Sequence, residues 1–378
     1  MVKQEKLSPL LKWAGGKEKE LPHILPHLPN NIERYYEPFV GGGAVYFAVE
    51  YPEMLINDRS HELIALYQLV REHNQDFFNH LKDMHTGWLS LEKVLEAHRD
   101  TFRQIYVSYA NDIWSKKELT DGTSSFVFAH EEELTGIFSV PLTIALDSFL
   151  REINKNLTGK MQRMKTIEKE KGILSDTDLL GNIECSLKSA FYMHFRYLYN
   201  YAATFALPDS LLAAIFYFIR EYCYASMFRY NSAGQFNVPY GGMSYNRKDF
   251  PQKINYLQSE NVKAHLEKTV LYNLDFEEFL SVTNPGANDF IFLDPPYDSD
   301  FSTYAQNTFG KKDQTRLRDC LLSCKARFML VIKNTDFIRD LYTEKGFTIK
   351  TFNKKYLVSF QDRNDKNAEH LVITNYEI

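Results

Sequence analysis

The apolar positions of this chain follow two rhythms. At both ends, short apolar runs alternate with helical segments: "RYYEPFVG" leads through glycines into "AVYFAVEY", and "MLIND" precedes "HELIALYQLVREH". Toward the carboxyl end, "TVLYNLDF", "DFIFLDPPY", "RFMLVIKN" and "HLVITNY" have the length and residue types of buried strands, with "QTRLRDCLLSC" and "TDFIRDLYTEKG" as helices among them. Such alternation predicts an α/β sheet covered by helices. From about residue 73 to 225 the period is helical instead, as in "LEKVLEAHRDTFRQIYVSYAND", "PLTIALDSFLREINKNL" and "SLLAAIFYFIREYCYASMF". The pattern predicts a discontinuous α/β domain, residues 1–72 and 270–378, interrupted by a mainly helical insert at 73–269. The insert closes on "RYNSAGQFNVPYGGMSYNRKDFP", whose Gly, Asn and Pro content reads as an exposed loop or hairpin near 229–245.

Composition changes this picture little. The 378 residues are 44% hydrophobic and 25% charged, ordinary values for a globular chain with a sizeable core. No apolar run nears the roughly 20 residues that span a bilayer, and the amino-terminal stretch lacks the apolar centre of a secretory signal. The expectation is a cytoplasmic protein without membrane attachment. A net charge of −5 gives no overall attraction to nucleic acid, so such a partner must be met by local basic patches. The four cysteines, without a CxxC, read as structural thiols, and the 24 Tyr and 28 Phe read first as core between helices.

Four short stretches combine residue types that have a chemical use. "EPFVGGGAVYF" (Glu37, Pro38, Phe39 and Gly41 among them) runs a strand into glycines that open a helix, where sheet ligands collect, although a purely structural turn looks the same. In "LIND", Asp58 can accept hydrogen bonds from ribose hydroxyls or cap the following helix. "LLKWAGGK" sets Trp13, Gly15 and Lys17 together as an aromatic wall, a flexible backbone and a cation for a carboxylate or phosphate; a surface turn is the alternative. "FLDPPY" ends a strand on Asp294, and an Asp-Pro turn alone would account for that. Yet Pro295 and Pro296 fix φ and lack N–H groups, which leaves rigid, unpaired carbonyls beside a carboxylate and the Tyr297 ring. That is a platform for a planar amine: carboxylate and carbonyl accept its two N–H bonds while the ring stacks on the base.

Taken in order, "LLKWAGGK", "YEPFVGGGAVYF", "LINDRSHELI", "RYNSAGQFNVPYGG", "FLDPPY" and "FSTYAQNTF" resemble the Dam-type (D12 class, alpha group) family of DNA adenine N6-methyltransferases, over roughly residues 7–75 and 191–378. The resemblance implies a Rossmann-like methyltransferase sheet with a helical target-recognition insert. It also implies methyl transfer from S-adenosylmethionine (SAM) to N6 of adenine in double-stranded DNA. By resemblance, Trp13, Gly15 and Lys17 contact SAM, Glu37, Pro38, Phe39 and Gly41 cradle its methionine part, and Asp58 takes its ribose. Asp275 and Phe276 of "LDFEEF" fall beside the cofactor adenine, and Asp294 faces both cofactor and target. In "YASMFRYN", Tyr224 inserts in the duplex, Met227 touches a thymine methyl, Arg229 reads guanine and Asn231 contacts the backbone; Pro239 is a further base contact. GATC is the implied target, although Gly242 and Met243 stand where a basic residue is usual, and residues 76–190 have no counterpart in compact members.

The implied chemistry needs no metal and no covalent nucleophile. The exocyclic amine of adenine is conjugated with its ring, so Asp294 and the Pro295 carbonyl draw its lone pair out of conjugation and aim it at the sulfonium methyl. Flipping the base from the duplex costs a few kcal/mol, and stacking on Tyr297 at about 1–3 kcal/mol offsets it. Residues 225–272 hold Arg229, Arg247, Lys248, Lys253, Lys263 and Lys268 against Asp249, Glu260 and Glu267, a local basic excess suited to DNA. A second basic run, Arg151 to Gly172 with Arg163 and Lys165, reads as a solvated helix face or as phosphate contacts. Two rival readings share the platform: a glutamine N5-methyltransferase acting on protein, which normally has Asn before the prolines, and an inactive DNA-binding scaffold. A restriction endonuclease acting on the same site is the expected partner, and the expected state is a monomer or weak dimer.

Overall fold

In the computed structural model, which describes residues 7–13, 15–296, 309–343, 346–355 and 367–378, the apolar runs become strands of a single sheet. Tyr297 and most of "FSTYAQNTF" lie outside the described residues. The chain divides into two compact units, one of Met1–His73, Phe228–Tyr230 and Leu257–Ile378, the other of Asn74–Met227 and Asn231–Tyr256.

The first unit holds β1 (Arg34–Glu37), β2 (Glu53–Asn57), β3 (Thr269–Tyr272), β4 (Phe290–Leu293), β5 (Arg327–Lys333), β6 (Thr348–Lys355) and β7 (Asn367–Thr374), in the order β3-β2-β1-β4-β5-β7-β6. The first five run parallel, while β7 is antiparallel to both β5 and β6. Strands buried on both faces need apolar side chains throughout, which is why "FIFL" of β4 is continuous rather than alternating. Tyr36, Leu55, Phe279, Ile291, Leu330 and Ile373 join one apolar core. Between β1 and β4 the strand order reverses, and a crevice for ligands opens at such a switch point.

Helices α1 (Leu21–Ile24), α2 (His61–Arg71), α11 (Glu260–Glu267), α12 (Phe276–Thr283), α13 (Lys311–Ser323) and α14 (Asp336–Tyr342) complete this unit. Two details differ from expectation. The glycines of "EPFVGGGAVYF" open no α-helix but a single 3-10 turn, Tyr46–Ala48, after which Val49 is extended. The edge strand β6, "TIKTFNKK", is too polar to stand out as a buried run, because an edge strand needs only part of its length apolar.

The second unit is helical: α3 (Gln75–Ala97), α4 (Arg99–Ala110), α5 (Lys116–Ala129), α6 (Glu131–Thr135), α7 (Leu146–Lys171), α8 (Asp176–Asn200), α9 (Asp209–Tyr222) and most of α10 (Phe250–Leu257). Trp88, Phe191, Phe218 and Tyr222 interlock in its core with centroid separations of 4.4–6.0 Å. The periodic stretch around residues 91–112 is not one helix; it breaks at His98, where φ is −115° and ψ 18°. The closing stretch "RYNSAGQFNVPYGG" forms a loop held by isolated bridges, Cys223 to Tyr240 among them, in place of a strand ladder. Pro239 has no N–H to give a ladder, and Gly242 sits at φ +87°. No helix among the described residues is long and apolar enough to cross a membrane.

Candidate active site

Four acids stand at the carboxyl ends of four adjacent parallel strands. Glu37 is the last residue of β1, Asp58 follows β2, Asp275 lies just beyond β3 as the N-cap of α12, and Asp294 follows β4. Parallel pairing alone therefore gathers residues from distant parts of the chain onto one sheet edge. "LLKWAGGK" adds a cation there: Lys17, almost fully buried, donates to the Gly15 carbonyl at 3.0 Å and forms an ion pair with Asp294. The Asp294 side chain retains 18% exposure, so the pair is reachable from solvent on the carboxylate side.

Glu37 lies behind this pair and accepts a hydrogen bond from the Tyr35 hydroxyl at 2.6 Å. Burial pushes its carboxyl well above the ordinary carboxylate range; the Tyr35 hydroxyl opposes the shift, the Asp294 charge adds to it, and the Tyr46 N–H and Lys17 oppose it. Burial likewise raises the Asp58 carboxyl, against N–H groups of Ser60, Gly41 and Arg59. Asp58 Oδ2 accepts from Gly41 at 3.0 Å and Oδ1 from Ser60 at 2.9 Å. The helix-cap alternative for Asp58 falls to Ser60, whose hydroxyl accepts the Leu63 N–H. Gly41 has φ +50°, and a Cβ there would stand 2.7 Å from Trp13 Cδ1, so the indole can lie on this turn only over glycine. The structure thus brings Trp13, Gly15, Lys17, Glu37, Gly41, Asp58 and Asp294 together.

Pro38 is buried, and its carbonyl accepts from Asn57 Nδ2 at 3.0 Å. Asn57 also exchanges hydrogen bonds with the Leu274 backbone, so it ties the ends of β1 and β2 to the entry of α12. Phe39 and Phe276 pack at 5.5 Å, both against Phe309. The Asp275 carboxylate is engaged by Arg316 at 2.7 Å, and that guanidinium also lies 4.9 Å over the Phe276 ring. At the platform itself the expectation of unpaired proline carbonyls needs correction. The Pro296 carbonyl accepts from Gln314 Nε2 at 2.9 Å, and Gln314 is fully buried. Tyr297 lies outside the described residues.

The model of the D12 class N6 adenine-specific DNA methyltransferase family matches residues 13–133 and 147–358. The chain belongs to this family. It is an adenine-specific DNA methyltransferase, and the match includes most of the 76–190 stretch that its motifs alone left unplaced. The chain is 26% identical over 375 residues to the type II methyltransferase M.CviBI of Paramecium bursaria Chlorella virus NC1A, covering 98% of this chain and 100% of that protein. It is 25% identical over 389 residues to the type II methyltransferase M.MjaIII of Methanocaldococcus jannaschii, with 98% and 99% covered. Against the retron Ec67 DNA adenine methylase of Escherichia coli it is 22% identical over 369 residues, with 97% and 90% covered.

The DNA-contact candidates of this methyltransferase divide between the units. In the helical unit Tyr224 is exposed, and its N–H donates to the Pro239 carbonyl at 2.9 Å, which joins those two candidates. The turn after Tyr224 holds Ala225 and Ser226 at φ +53° and +51°, conformations that cost L-residues about 1–3 kcal/mol each. The Tyr245 hydroxyl accepts the Ala225 N–H at 3.0 Å. Met227 is partly buried, and Asn231 closes its own loop by accepting from Ala233 and Gln235. Arg229 is exposed and belongs to the sheet unit, where its neighbour Phe228 packs 5.4 Å from Trp13.

Several residues read as basic DNA contacts are otherwise engaged. Arg247 pairs with Glu184 and Glu92, Lys248 donates to the Glu221 carbonyl and lies 4.3 Å over the Tyr245 ring, and Lys268 pairs with Glu50. Lys165 of the second basic run is buried, donates to the Tyr109 carbonyl at 2.7 Å and pairs with Asp112, so its charge is used inside its own unit, whereas Arg163 of the same run is exposed. Sequence reasoning also missed Asn57, Gln314 and Arg316. Asn57 had a signal, a polar residue ending an apolar strand beside an acid, whereas Gln314 and Arg316 look like any amphipathic helix residue.

Proposed function

We propose that the strand edge binds S-adenosylmethionine and that its methyl passes to N6 of an adenine flipped out of duplex DNA, with GATC as the leading target. The observation that carries this reading is the Lys17–Asp294 ion pair at the end of β4, flanked by Glu37, Asp58 and the Gly41 turn. The residues fit the methyl donor: a glycine turn too tight for a Cβ beside an indole, a cation for its carboxylate, and an acid oriented by backbone N–H groups whose oxygens keep lone pairs for ribose hydroxyls. Bound there, SAM would supply an electrophilic sulfonium methyl.

In this reading Lys17 orients Asp294, so that its carboxylate accepts one N–H of the adenine amine while the Pro295 carbonyl accepts the other. Gln314 holds the second proline through its carbonyl and so fixes the peptide plane beside the amine. Trp13 and Gly15 line the methionine end with Glu37 and Pro38, Phe39 and Phe276 offer an apolar face to the cofactor adenine, and Asp275 stays oriented by Arg316. Tyr297 stacks on the flipped base. Residues 1–72 and 270–378 act as the catalytic part and 73–269 as the recognition part, with Tyr224, Met227, Arg229, Asn231 and Pro239 meeting DNA. An aspartate before the prolines, rather than Asn, favours adenine over a glutamine amide. The type II names of two relatives support a cognate restriction endonuclease as partner, and the chain would meet DNA as a monomer or weak dimer.

Sequencing of native DNA from cells that express the protein, with modified bases read directly, tests this. N6-methyladenine at one short motif, GATC first, is the expected outcome. DNA binding without methylation of any duplex would favour the inactive scaffold.

A further inference from the structure

Away from the strand edge, the helical unit brings two histidines and a glutamate to one point on its surface. His98 joins α3 to α4, His130 joins α5 to α6, and Glu133 lies three residues beyond His130 on α6. His98 Nε2 is 2.7 Å from Glu133 Oε2, and His130 Nδ1 is 3.5 Å from the same oxygen. The imidazole centroids are 4.1 Å apart, and one ligand atom from each residue lies within 4.8 Å of the other two. Phe126 backs both rings, with centroids 5.3 Å from His98 and 4.7 Å from His130, and so limits their rotation.

Glu133 Oε2 is shared by both histidines. Protonating both rings would set two positive charges side by side against one carboxylate, whereas a neutral imidazole can turn either its N–H or its lone pair toward the shared point. A divalent cation accepts a lone pair from all three side chains at once. Tetrahedral zinc, with bonds of about 2.0–2.2 Å to N and O donors, separates its ligand atoms by roughly 3.4 Å. The separations of 2.7 and 3.5 Å bracket that distance, and the 4.8 Å limit exceeds it by an amount that side-chain torsions can close. Residues at i and i+3 of a helix share a face, so His130 and Glu133 can chelate together. Imidazole donors select zinc or a similar transition metal over magnesium or calcium. Side-chain exposures of 17%, 32% and 42% leave an entry path and a position for water.

We propose that His98, His130 and Glu133 bind one Zn2+, with water as the fourth ligand, and that the ion ties the α3–α4 corner to the α5–α6 corner. None of the three belongs to the methyl-transfer set, so the role is structural. It also gives a use to the break at His98, which falls in a strongly periodic stretch containing neither Gly nor Pro.

The test uses the full-length chain stripped with EDTA, titrated with ZnCl2 by calorimetry and with CoCl2 by visible absorption. One saturable site per chain, the d–d bands of four-coordinate Co2+, and a zinc-dependent rise in Tm are expected. His98→Ala and His130→Ala should each abolish the rise, and Glu133→Gln, which keeps an acceptor oxygen facing His98, should weaken binding at least about 10-fold. Circular dichroism without metal reports whether each variant folds, and Glu133→Gln keeps the test decidable if an alanine variant does not. Absence of saturable uptake by the wild type, or uptake unchanged in His130→Ala and Glu133→Gln, would overturn the site.

Discussion

Both units bury lysines among carboxylates, and the two arrangements differ in where they leave the acid. In the sheet unit Lys17 is enclosed while its partner Asp294 keeps one side toward solvent at a strand end. In the helical unit Lys188 is fully buried, donates to Glu92, Glu184 and the Asn246 carbonyl, and lies 5.1 Å over the Trp88 ring. Those bonds use all three ammonium protons, and Arg247 shares the same carboxylates from outside. The first cluster can exchange a partner for substrate; the second is closed and holds the loop after Tyr240 onto α8. A buried charge is therefore a candidate for chemistry when topology delivers it to an edge, and a structural tie when helices enclose it.

Substituting each lysine gives the sharpest contrast. Lys17→Met should lower methylation at least about 100-fold, the scale of losing one preorganised electrostatic partner, with weakened SAM binding. Lys188→Met leaves the buried Glu184 carboxylate to Arg247 alone and should destabilise the chain by a few kcal/mol in urea unfolding, with SAM affinity unchanged. If the two variants exchanged these effects, the distinction would not stand.

Titration separates Glu37 of the sheet unit from His194 of the helical unit by sign. The folded Glu37 carboxyl sits above its ordinary 4.5, so in the window above 4.5 the native state keeps a proton that the unfolded chain releases. Its contribution to stability falls as pH rises through that window, and Glu37→Gln should remove the fall. His194 in α8 is buried, and burial lowers its pKa from 6.5 to about 3. Between those values the unfolded chain takes the proton first, so stability falls as pH drops, by a few kcal/mol in all, and His194→Leu should flatten the slope. Denaturant midpoints measured across pH for the wild type and both variants check the two signs together.

A smaller effect divides the arginines. Arg229→Ala should cost roughly 1–3 kcal/mol of discrimination at one guanine. Arg247→Ala should lower Tm and leave sequence preference intact, because its guanidinium is bound to Glu184 and Glu92. Competition binding with single-base variants of the target resolves both.

The same contrast explains what could be read from the sequence. Strand ends are legible, since an apolar run that stops on an acid points to the sheet edge whatever its neighbours do. Asp58 and Asp294 were found that way, and the Gly41 turn through the strand before it. Helix faces are less legible: Arg247, Lys248 and Lys165 have the composition of a DNA-binding surface, and only packing shows that their charges point into their own unit. The break at His98 was hidden for a related reason, because a helical period continues across a corner when both helices bury the same face. Gln314 was illegible because its partner is a backbone carbonyl 18 residues away.

Asp294, held by Lys17, is proposed to position the amine that is methylated. Asp294→Asn preserves shape and removes the charge, so single-turnover transfer from labelled SAM to a GATC duplex, with the product base identified by mass spectrometry, tests it most directly. N6-methyladenine is expected with the wild type, and a rate at least about 100-fold lower with the variant, at SAM affinity largely retained. Near-normal transfer by Asp294→Asn would contradict that role.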